Sequence, residues 1–495
     1  MKKCKALILP LLATLSVVVF RCVFLYAKNV LEAPLRDILP GFFLAVCMAL
    51  LIFFLVWLIL RDLPKTGVFS AIFTLLMLHI YSPTQVIRRT WAGYQPIYLL
   101  LLILALSAWL LVVLRRKRTL DARPFCKITV LVFTALTLVS LALSAGDILK
   151  RVRYTGKEAP SQELQSLTFA SQERPNVYFF LFDEYAGFEN LKYYYDFDNA
   201  QFADYLKASG FAVNRAGRNT DSVFTDTIVP NLLNLEYKVV DTQPAFDKTA
   251  YLTDPELFRI FEQNGYQVNL LSHRGFVKTQ DDAVNLLATS DDTSTSDYVV
   301  RFSILNSFGF GERLLHRVQG KSNESGTHAT QRCLDEMEHL TDHLADNRPT
   351  FTFAYLCAPH SPILFSKDGT PVKEPYWHDW RNESYYLDYL QYVNGRIEAA
   401  VDRIIEVDPN AIIILQSDHG SRIAYHLTKY RKDGSYDWRQ ETAAMQNMLC
   451  AVRCGAQLPD IEGMSGINVL RTVLNTCFGT ELALLDAPEG YIFKP

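Results

Sequence analysis

The sequence predicts two structural parts: an N-terminal multi-span α-helical membrane region, and an outer α/β domain with a central, mostly parallel sheet and flanking helices. Two observations support this prediction. Long apolar stretches fill residues 1–146, whereas the chain from 175 to 495 has the mixed composition of a soluble domain. In that second part, short apolar runs alternate with amphipathic segments, as in βαβ units. Residues 147–174, rich in polar and charged side chains, are expected to link the two parts.

Five segments of the first part approach the roughly 20 apolar residues that a helix needs to cross a bilayer. They lie at about 6–26, 38–60, 67–82, 96–114 and 127–145. Lysines precede the first segment and the basic cluster 115–118 follows the fourth, which predicts that both points are cytoplasmic. Five crossings would then place the chain after 146 on the extracytoplasmic side, whereas four or six crossings would place it in the cytoplasm. The spans serve either as an anchor or as a seat for a lipid substrate.

Net charge and cysteine spacing argue against some classes of function and site. The formal net charge of -3 gives no support for nucleic-acid binding. Of the nine cysteines, the five that follow the membrane region are an odd number without zinc-ribbon spacing, so we predict neither a disulfide framework nor a thiolate metal site. These five are Cys333, Cys357, Cys450, Cys454 and Cys477. Cys450 and Cys454 could pair, although their spacing fits a helix face or a plain core equally well.

The elements of the outer domain follow from apolar runs and helix end signals. Strands are predicted at 176–182, 267–271, 350–356 and 411–415, and helices at 199–209, 255–264, 328–345, 383–405 and 466–477. For the helix 255–264, Asp254 is the expected N-cap, Pro255 the first residue and Gly265 the stop. The polar run 289–297 predicts a surface loop.

Three of the predicted strands end in chemically active side chains. The first is followed by Asp183 and Glu184, the third runs into His360, and the fourth leads to Asp418 and His419. The carboxyl ends of parallel strands meet at one edge of a sheet, where ligands bind. Taken singly, each group could be a helix cap or a turn, and for His360 alone a Pro-bounded turn is the simpler interpretation. Together they predict a metal site, because buried charges are costly unless paired or metal-bound.

A candidate nucleophile lies in the segment 219–234, where a helix is expected to begin near 228. Ser222, Thr225 and Thr227 offer hydroxyls just before that point. A helix N-terminus is a natural seat for phosphate. A threonine hydroxyl there becomes nucleophilic when a metal lowers its pKa. For any single one of the three, a simple N-cap role is the alternative.

Residues 175–485 resemble the alkaline phosphatase and sulfatase-like superfamily. The stretch 175–184 is similar to the sulfatase start, a Pro-Asn-led apolar strand that ends in two acids, and 417–420 reads Ser-Asp-His-Gly, the motif of the later ligands. With the membrane spans ahead, the layout resembles bacterial lipoteichoic acid synthases and lipid A phosphoethanolamine transferases. The resemblance implies a multi-pass enzyme of the bacterial plasma membrane with an extracytoplasmic catalytic domain.

The resemblance also implies roles for individual residues. One divalent ion, manganese or zinc, would be held by Asp183, Asp418, His419 and the Thr225 oxygen, with Glu184 as a further ligand in a sulfatase-like arrangement. Thr225 would be the nucleophile, since it lies five residues before Pro230. The catalytic and substrate-contacting histidine would be His360. Other candidates are His273 and Arg274 for phosphate binding and His426 for an additional histidine.

Two departures from the family pattern affect the choice of substrate. Sulfatases need Cys or Ser followed by x-Pro-x-Arg, but this chain has Ile228 and Leu232 at those two positions, and no cysteines flank the threonine. These departures argue against sulfate ester cleavage, and the resemblance to the two transferase families implies a phosphotransferase that moves phosphoglycerol or phosphoethanolamine from a membrane phospholipid to a glycan or glycerophosphate acceptor through a phosphothreonine. A phosphodiesterase or sulfuric ester hydrolase, and a non-catalytic membrane scaffold with a degenerate site, remain as alternatives.

Overall fold

The computed structural model describes residues 2–32, 34–80, 95–289, 326–376, 383–422 and 438–486, with isolated positions between them. The candidate His426 and the predicted loop beyond residue 289 lie outside the described residues. The chain forms two compact units, one made of residues 1–155 with 293–323 and the other of 156–292 with 324–495. The first is helical and the second contains the sheet.

Helices occupy all five apolar segments of the first unit. They are α1 (Lys2–Lys28), α2 (Leu39–Leu60), α3 (Leu63–His79), α4 (Pro96–Arg116) and α5 (Arg123–Leu143). Among the described residues, four of these helices are long and apolar enough to cross a membrane, while α3, with 17 residues, is shorter. A short helix, α6 (Ala145–Val152), follows.

Contacts within this unit bring several helix ends together. Lys65, in the first turn of α3, donates to the carbonyl oxygen of Lys117 just after α4, at 2.8 Å. Gly67 packs so tightly on α1 that a Cβ there would lie 2.6 Å from Cα of Pro10. Leu78, near the end of α3, packs in one cluster with Ala45, near the start of α2, so the chain reverses direction between these two helices. The starts of α1, α3 and α5 and the ends of α2 and α4 therefore lie at one end of the bundle.

The second unit is built on a mixed, mostly parallel seven-stranded sheet, which confirms the predicted fold class. Its strands, in spatial order, are β2 (Ala212–Val213), β9 (Cys450–Arg453), β8 (Ile412–Ser417), β1 (Val177–Phe182), β5 (Thr350–Leu356), β3 (Gln267–Ser272) and β4 (Asn285–Thr289). Neighbours run parallel from β8 through β1, β5 and β3 to β4, whereas β9 is antiparallel to both β8 and β2. A separate hairpin pairs β6 (Ile363–Phe365) with β7 (Pro371–Tyr376).

Helices cover both faces of this sheet. They are α7 (Gln162–Gln165), α8 (Phe188–Tyr195), α9 (Ala200–Ala208), α10 (Thr225–Leu233), α11 (Ala245–Tyr251), α12 (Glu256–Gln263), α13 (Gly326–Glu338), α14 (Glu383–Val407), α15 (Trp438–Gln446) and α16 (Gly466–Phe478). Two sequence predictions need correction. Helix α10 begins at Thr225 rather than near 228, and the N-cap of α12 is Pro255 rather than Asp254. The Asp254 carboxylate instead accepts hydrogen bonds from Thr279 and Gln280.

Strand β1 lies at the centre of the core because both of its faces are buried. Alternate side chains of a strand point to opposite faces. Tyr178, Phe180 and Phe182 pack into one apolar cluster, and Val177, Phe179 and Leu181 into the other. This burial on both sides is typical of the continuous apolar strands of parallel sheets.

The pairing register of β1 with β5 and with β8 places the carboxyl ends of these three strands side by side. Phe182, the last residue of β1, pairs with Leu356 of β5 on one side and with Ser417 of β8 on the other. The residues that follow these three, Asp183, Cys357 and Asp418, therefore leave the sheet side by side.

The possible pair of Cys450 and Cys454 is excluded by the strand in which Cys450 lies. Four residues of extended chain separate their Cα atoms by roughly 13 Å, about twice the span of a disulfide. Cys450 is fully buried in β9, where its sulfur accepts a hydrogen bond from Gln416 at 3.9 Å.

Candidate active site

Asp183 is the centre of a buried polar cluster at the carboxyl ends of β1, β5 and β8. Its Oδ2 accepts a hydrogen bond of 2.7 Å from the hydroxyl of Tyr355, and its Oδ1 lies 3.4 Å from the hydroxyl oxygen of Thr225. Asp183 and Asp418 are 5% and 0% exposed. Both strand-end acids and His419 thus meet at the sheet edge where the sequence predicted them.

Thr225 is the first residue of α10 and presents its side chain to this cluster. Its Oγ1 lies 3.2 Å from Nε2 of His419. The other two candidate hydroxyls, on Ser222 and Thr227, both donate to Oδ1 of Asp241 at 2.6 Å. Of the three, Thr225 is therefore the one whose hydroxyl contacts the candidate metal ligands.

The local fold fixes the ring of His419. Its Nδ1 lies 2.8 Å from the carbonyl oxygen of Gly420. Because a carbonyl only accepts, Nδ1 carries the proton and the lone pair of Nε2 is directed towards Thr225. Residue 420 is glycine because a Cβ would lie 2.6 Å from the carbonyl oxygen of Asn447. Burial, followed by the positive charge of Arg422, lowers the pKa of His419 to about 4, which keeps the ring neutral and able to bind a cation.

Asp418 has one satisfied and one unsatisfied carboxylate oxygen. Oδ1 accepts the backbone N–H groups of Glu184, at 3.0 Å, and of His419, at 2.8 Å. Oδ2 is completely buried, makes no hydrogen bond among the described residues and lies 3.4 Å from Nε2 of His419. Burial, and next the charge of Asp183, raise the pKa of Asp418 to about 8. An orphaned carboxylate oxygen of this kind is what a cation would satisfy.

Asp183, next to Asp418, stays ionised. Burial opposes this, but His360, His419 and the Tyr355 hydroxyl together lower the pKa of Asp183 to about 2. One oxygen of Asp183, one of Asp418 and Nε2 of His419 lie within 4.8 Å of one another. Two carboxylates, a neutral imidazole and a neighbouring hydroxyl fit a divalent metal ion.

Glu184 and His360 form a pair next to this group. Glu184 accepts the backbone N–H of Arg422 at 2.7 Å, and its other oxygen lies 3.7 Å from Nε2 of His360. Burial would lower the pKa of His360, but the charges of Asp183, Cys357 and Glu184 outweigh burial and raise it. Glu184 therefore contacts His360 instead of joining Asp183, Asp418 and His419 in the ligand group.

His273 and Arg274 follow β3 and differ in what they can contact. His273 is 2% exposed; its Nδ1 accepts the backbone N–H of Cys357 at 3.1 Å, and its Nε2 lies 3.2 Å from the Thr330 hydroxyl. With both ring nitrogens engaged, it supports the loop after β5. Arg274 is half-buried, and the negative field of Cys357 and Asp183 outweighs burial and raises its pKa. Phosphate binding by His273 and Arg274 stays a prediction, with both ring nitrogens of His273 engaged inside the protein.

Sequence reasoning missed Tyr355, Asp241 and the nearness of Cys357 to Asp183. Tyr355 reads as an ordinary apolar strand residue, and its hydroxyl contact with Asp183 depends on strand register. Asp241 has no motif around it. The position of Cys357 could have been inferred from the sequence, since Cys357 directly follows a buried strand in the same way as Asp183.

The family model for sulfatases, described as "Sulfatase", matches residues 176–443. The chain belongs to the sulfatase family. This family is part of the alkaline phosphatase superfamily of phosphoester and sulfoester enzymes. The match covers all three strand ends described above, as well as Thr225. A comparison with curated proteins gives no match.

Solved structures similar to this chain are distant. The C-terminal periplasmic domain of EcEptC from Escherichia coli, in complex with zinc, is 13% identical, with 63% of this chain and 84% of that one covered and a TM-score of 0.40. The lipoteichoic acid synthase LtaP from Listeria monocytogenes is 14% identical, with 62% and 72% covered and a TM-score of 0.37. A Bacteroides thetaiotaomicron protein of glycosaminoglycan metabolism is 13% identical, with 61% and 72% covered and a TM-score of 0.39.

Proposed function

We propose that this protein is a membrane-bound, metal-dependent phosphotransferase that moves a phospholipid head group to a cell-envelope acceptor through a phosphothreonine. The contact of the Thr225 hydroxyl with Nε2 of His419, at 3.2 Å, is the observation that carries the proposal. Phe224, not Thr225, is the N-cap residue of α10, and its side chain makes no capping hydrogen bond. The Thr225 hydroxyl is therefore available for chemistry, and the capping alternative loses its support.

Asp183, Asp418 and His419 are the proposed ligands of one divalent cation, manganese or zinc. Such an ion, when bound, would lower the pKa of the Thr225 hydroxyl and polarise the phosphate. The first backbone N–H groups of α10 point out of the helix start and can neutralise phosphate oxygens. Arg274 adds positive charge from the end of β3.

The proposed reaction has two displacement steps. In the first, the Thr225 hydroxyl loses its proton to solvent and its oxygen attacks phosphorus, the bond from phosphorus to the diacylglycerol oxygen breaks, and diacylglycerol leaves. His360, whose raised pKa keeps it charged, donates the proton that diacylglycerol needs or stabilises the developing charge. In the second, an acceptor hydroxyl of a glycan or glycerophosphate gives its proton to His360 and attacks phosphorus, and the bond from phosphorus to the Thr225 oxygen breaks. Water in place of that hydroxyl would make the protein a phosphodiesterase.

The family's sulfate chemistry has no support at the corresponding residues. Ile228 and Leu232 stand where a sulfatase has its modified Cys or Ser and its Arg, and both are buried apolar side chains of α10. Neither offers a nucleophile or a positive charge. The hydroxyl one turn earlier, on Thr225, supports phosphoryl transfer instead.

The membrane helices support a lipid donor and an outward-facing domain. Lys65 contacts Lys117 at the end of the bundle that also carries Arg61, Arg115 and Arg116. Basic residues mark the cytoplasmic side. Since α5 starts at this end, the chain that leaves its far end would be extracytoplasmic, in a bacterial plasma membrane. The reversal between α2 and α3 supports five crossings despite the shortness of α3.

The test is mass spectrometry of lipids incubated with the detergent-purified protein and manganese or zinc. Phosphatidylglycerol and phosphatidylethanolamine are offered together, and the lipid consumed names the head group. Thr225→Ala is the test variant. Its matched control is Thr249→Ala, which removes a threonine hydroxyl of α11 that donates to the carbonyl oxygen of Ala245 in its own helix.

Diacylglycerol released by the wild type and by Thr249→Ala, but not by Thr225→Ala, is the expected result. Equal release by Thr225→Ala would overturn the phosphothreonine step. No diacylglycerol from either lipid, in protein loaded with metal, would overturn lipid head-group transfer and favour a soluble ester substrate or the scaffold alternative.

A further inference from the structure

The helical unit contains a cavity of about 780 Å³ at the end where the starts of α1, α3 and α5 meet. The connections from α2 to α3 and from α4 to α5 complete its walls. Part of the lining is apolar, and includes Leu9 and Pro10 of α1 and Pro64 of α3. The reaction proposed above does not use this cavity.

The charged part of the lining consists of three arginines and two aspartates, Arg61, Arg118, Arg123, Asp62 and Asp121. Both aspartates are engaged within the protein. Asp62 accepts the backbone N–H of Lys65 at 3.1 Å and lies 3.5 Å from its ammonium nitrogen. Asp121 accepts the backbone N–H of Arg123 at 3.0 Å and lies 3.5 Å from its Nε. Lys65 and Arg123 therefore balance the two negative charges.

The other two arginines of the lining, Arg61 and Arg118, have no acidic partner. Neither guanidinium forms an ion pair with a carboxylate in the part of the chain that the structure describes. Arg61 lies over the ring of Trp57, 4.8 Å from its centroid, a contact that neutralises none of its charge. Arg118 is exposed in the turn that follows α4. The cavity thus combines an apolar lining with two positive charges that the described residues leave unbalanced.

We propose that this cavity binds an anionic phospholipid of the cytoplasmic leaflet, with the lipid phosphate between Arg61 and Arg118 and part of an acyl chain on the apolar lining. The guanidinium fork matches the oxygens of a phosphate. Basic pockets between membrane helices on the cytoplasmic side are suited to anionic head groups. A free phosphate would leave the apolar lining without a partner, which favours a lipid.

The lipid bound here is a retained ligand and not the donor of the proposed reaction. In the orientation proposed above, it lies in the leaflet that faces the cytoplasm, whereas the domain that carries Thr225 is extracytoplasmic. The cavity and its charges carry the inference, and only the choice of leaflet rests on the proposed function. Because the lining comes from three helices and two connections, a bound lipid would hold these segments together and stabilise the folded state.

Lipid retention and thermal unfolding of the full-length protein in a neutral detergent test this site. Every protein carries Thr225→Ala and is kept in a metal chelator, so that no lipid is consumed. Phosphatidylglycerol, phosphatidylethanolamine with the same acyl chains, and glycerol phosphate are added separately, and native mass spectrometry counts the lipids retained. We expect phosphatidylglycerol to be retained and to raise the unfolding temperature with the logarithm of its concentration. The other two should do so much less.

The site is assigned with a double variant, Arg61→Gln with Arg118→Gln. It should weaken phosphatidylglycerol binding by about 30-fold, the combined contribution of two arginines near an anionic lipid surface. Arg36→Gln is the matched control, because Arg36 is an exposed arginine next to the start of α2, at the other end of the bundle. It should leave binding unchanged. If the double variant does not fold, Arg118→Glu, in the exposed turn, should show the loss instead.

Equal retention of the two phospholipids, or full affinity in the double variant, would overturn the site. Equal stabilisation by glycerol phosphate would overturn a lipid as the ligand. Failure of the proposed function looks different, because it is seen in diacylglycerol release by protein with an intact Thr225 and leaves the retention of phosphatidylglycerol unchanged.

Discussion

The hydroxyl oxygen of Thr225 lies 3.2 Å from Nε2 of His419, although 194 residues separate them in the chain. The contact joins the first turn of α10 to the end of β8. It makes a covalent adduct on Thr225 the most direct expectation. Protein incubated with donor lipid but no acceptor, then acid-quenched and digested, should carry a phosphoglycerol or phosphoethanolamine group on Thr225 by peptide mass spectrometry. An adduct on Ser222 or Thr227 would contradict the assignment.

Replacement of Asp418 by Asn should weaken the binding of a metal ion by Asp183, Asp418 and His419. The unpartnered Oδ2 is lost as an anionic ligand, whereas the neutral side chain keeps an oxygen for the two backbone N–H groups. Loss of outer-shell partners typically costs about 10–100-fold in metal affinity, so loss of a ligand should exceed that range. Competition with a chromophoric chelator measures it. An unchanged affinity would exclude Asp418 from the site.

The metal-free protein should become less stable as pH rises towards 8. The folded-state pKa of Asp418 is raised to about 8, above its ordinary value, mainly by burial. A group with a raised folded pKa contributes stability at low pH and loses it as pH rises through that pKa. Thermal unfolding of the metal-free protein at about pH 6 and about pH 8.5 checks this. Asp418→Asn should flatten the difference; an equal slope in both proteins would refute the cause.

Asp241 should position Thr225 without touching the reaction. Its Oδ1 accepts the hydroxyls of Ser222 and Thr227, which lie on either side of Thr225 in sequence. Asp241→Ala leaves both hydroxyls without this acceptor, at a cost of about 1–3 kcal/mol in the free energy of unfolding. We expect kcat to fall more than KM changes, because the hydroxyl is misaligned while the lipid still binds. Asp247→Ala, in the next helix, is the control, and equal effects in both would refute positioning.

Cys454 should react with alkylating agents at neutral pH. The thiol of Cys477 acts as its hydrogen-bond partner and lowers the pKa of Cys454 to about 7, whereas burial raises that of Cys450 to about 12. Peptide mass spectrometry after brief iodoacetamide treatment of the reduced protein should find Cys454 labelled and Cys450 unlabelled.

In an oxidising extracytoplasmic compartment, the thiols of Cys454 and Cys477 should be recovered as a disulfide. Reduced thiols in protein taken from its native membrane would speak against the outward orientation.

The sequence was most informative where local patterns are strong. The apolar runs at β1, β5 and β8 predicted buried strands, and parallel strands bring their ends together, so the meeting of Asp183, Asp418 and His419 could be expected. The start of α10 was predicted three residues late because Thr225, Asp226 and Thr227 are weak helix formers that usually precede a helix.

Other features depend on long-range geometry that a single sequence does not contain. The four residues of β9, Cys450–Arg453, are too short to carry a strand signal, and their antiparallel pairing with β8 extends the sheet. The proximity of Cys357 to Asp183 follows from strand register. The contact of Asp241 with Ser222 and Thr227 follows from how the chain turns back between α10 and α11.

The pairing of Phe182 with both Leu356 and Ser417 also limits how this protein can diverge. One residue inserted into β1 would advance Asp183 by about 3.3 Å and turn its side chain to the opposite face of the sheet. The same holds for deletions in β5 or β8. Relatives that keep this chemistry should therefore vary freely in loop length, while the three strands tolerate substitutions but no change in their number of residues.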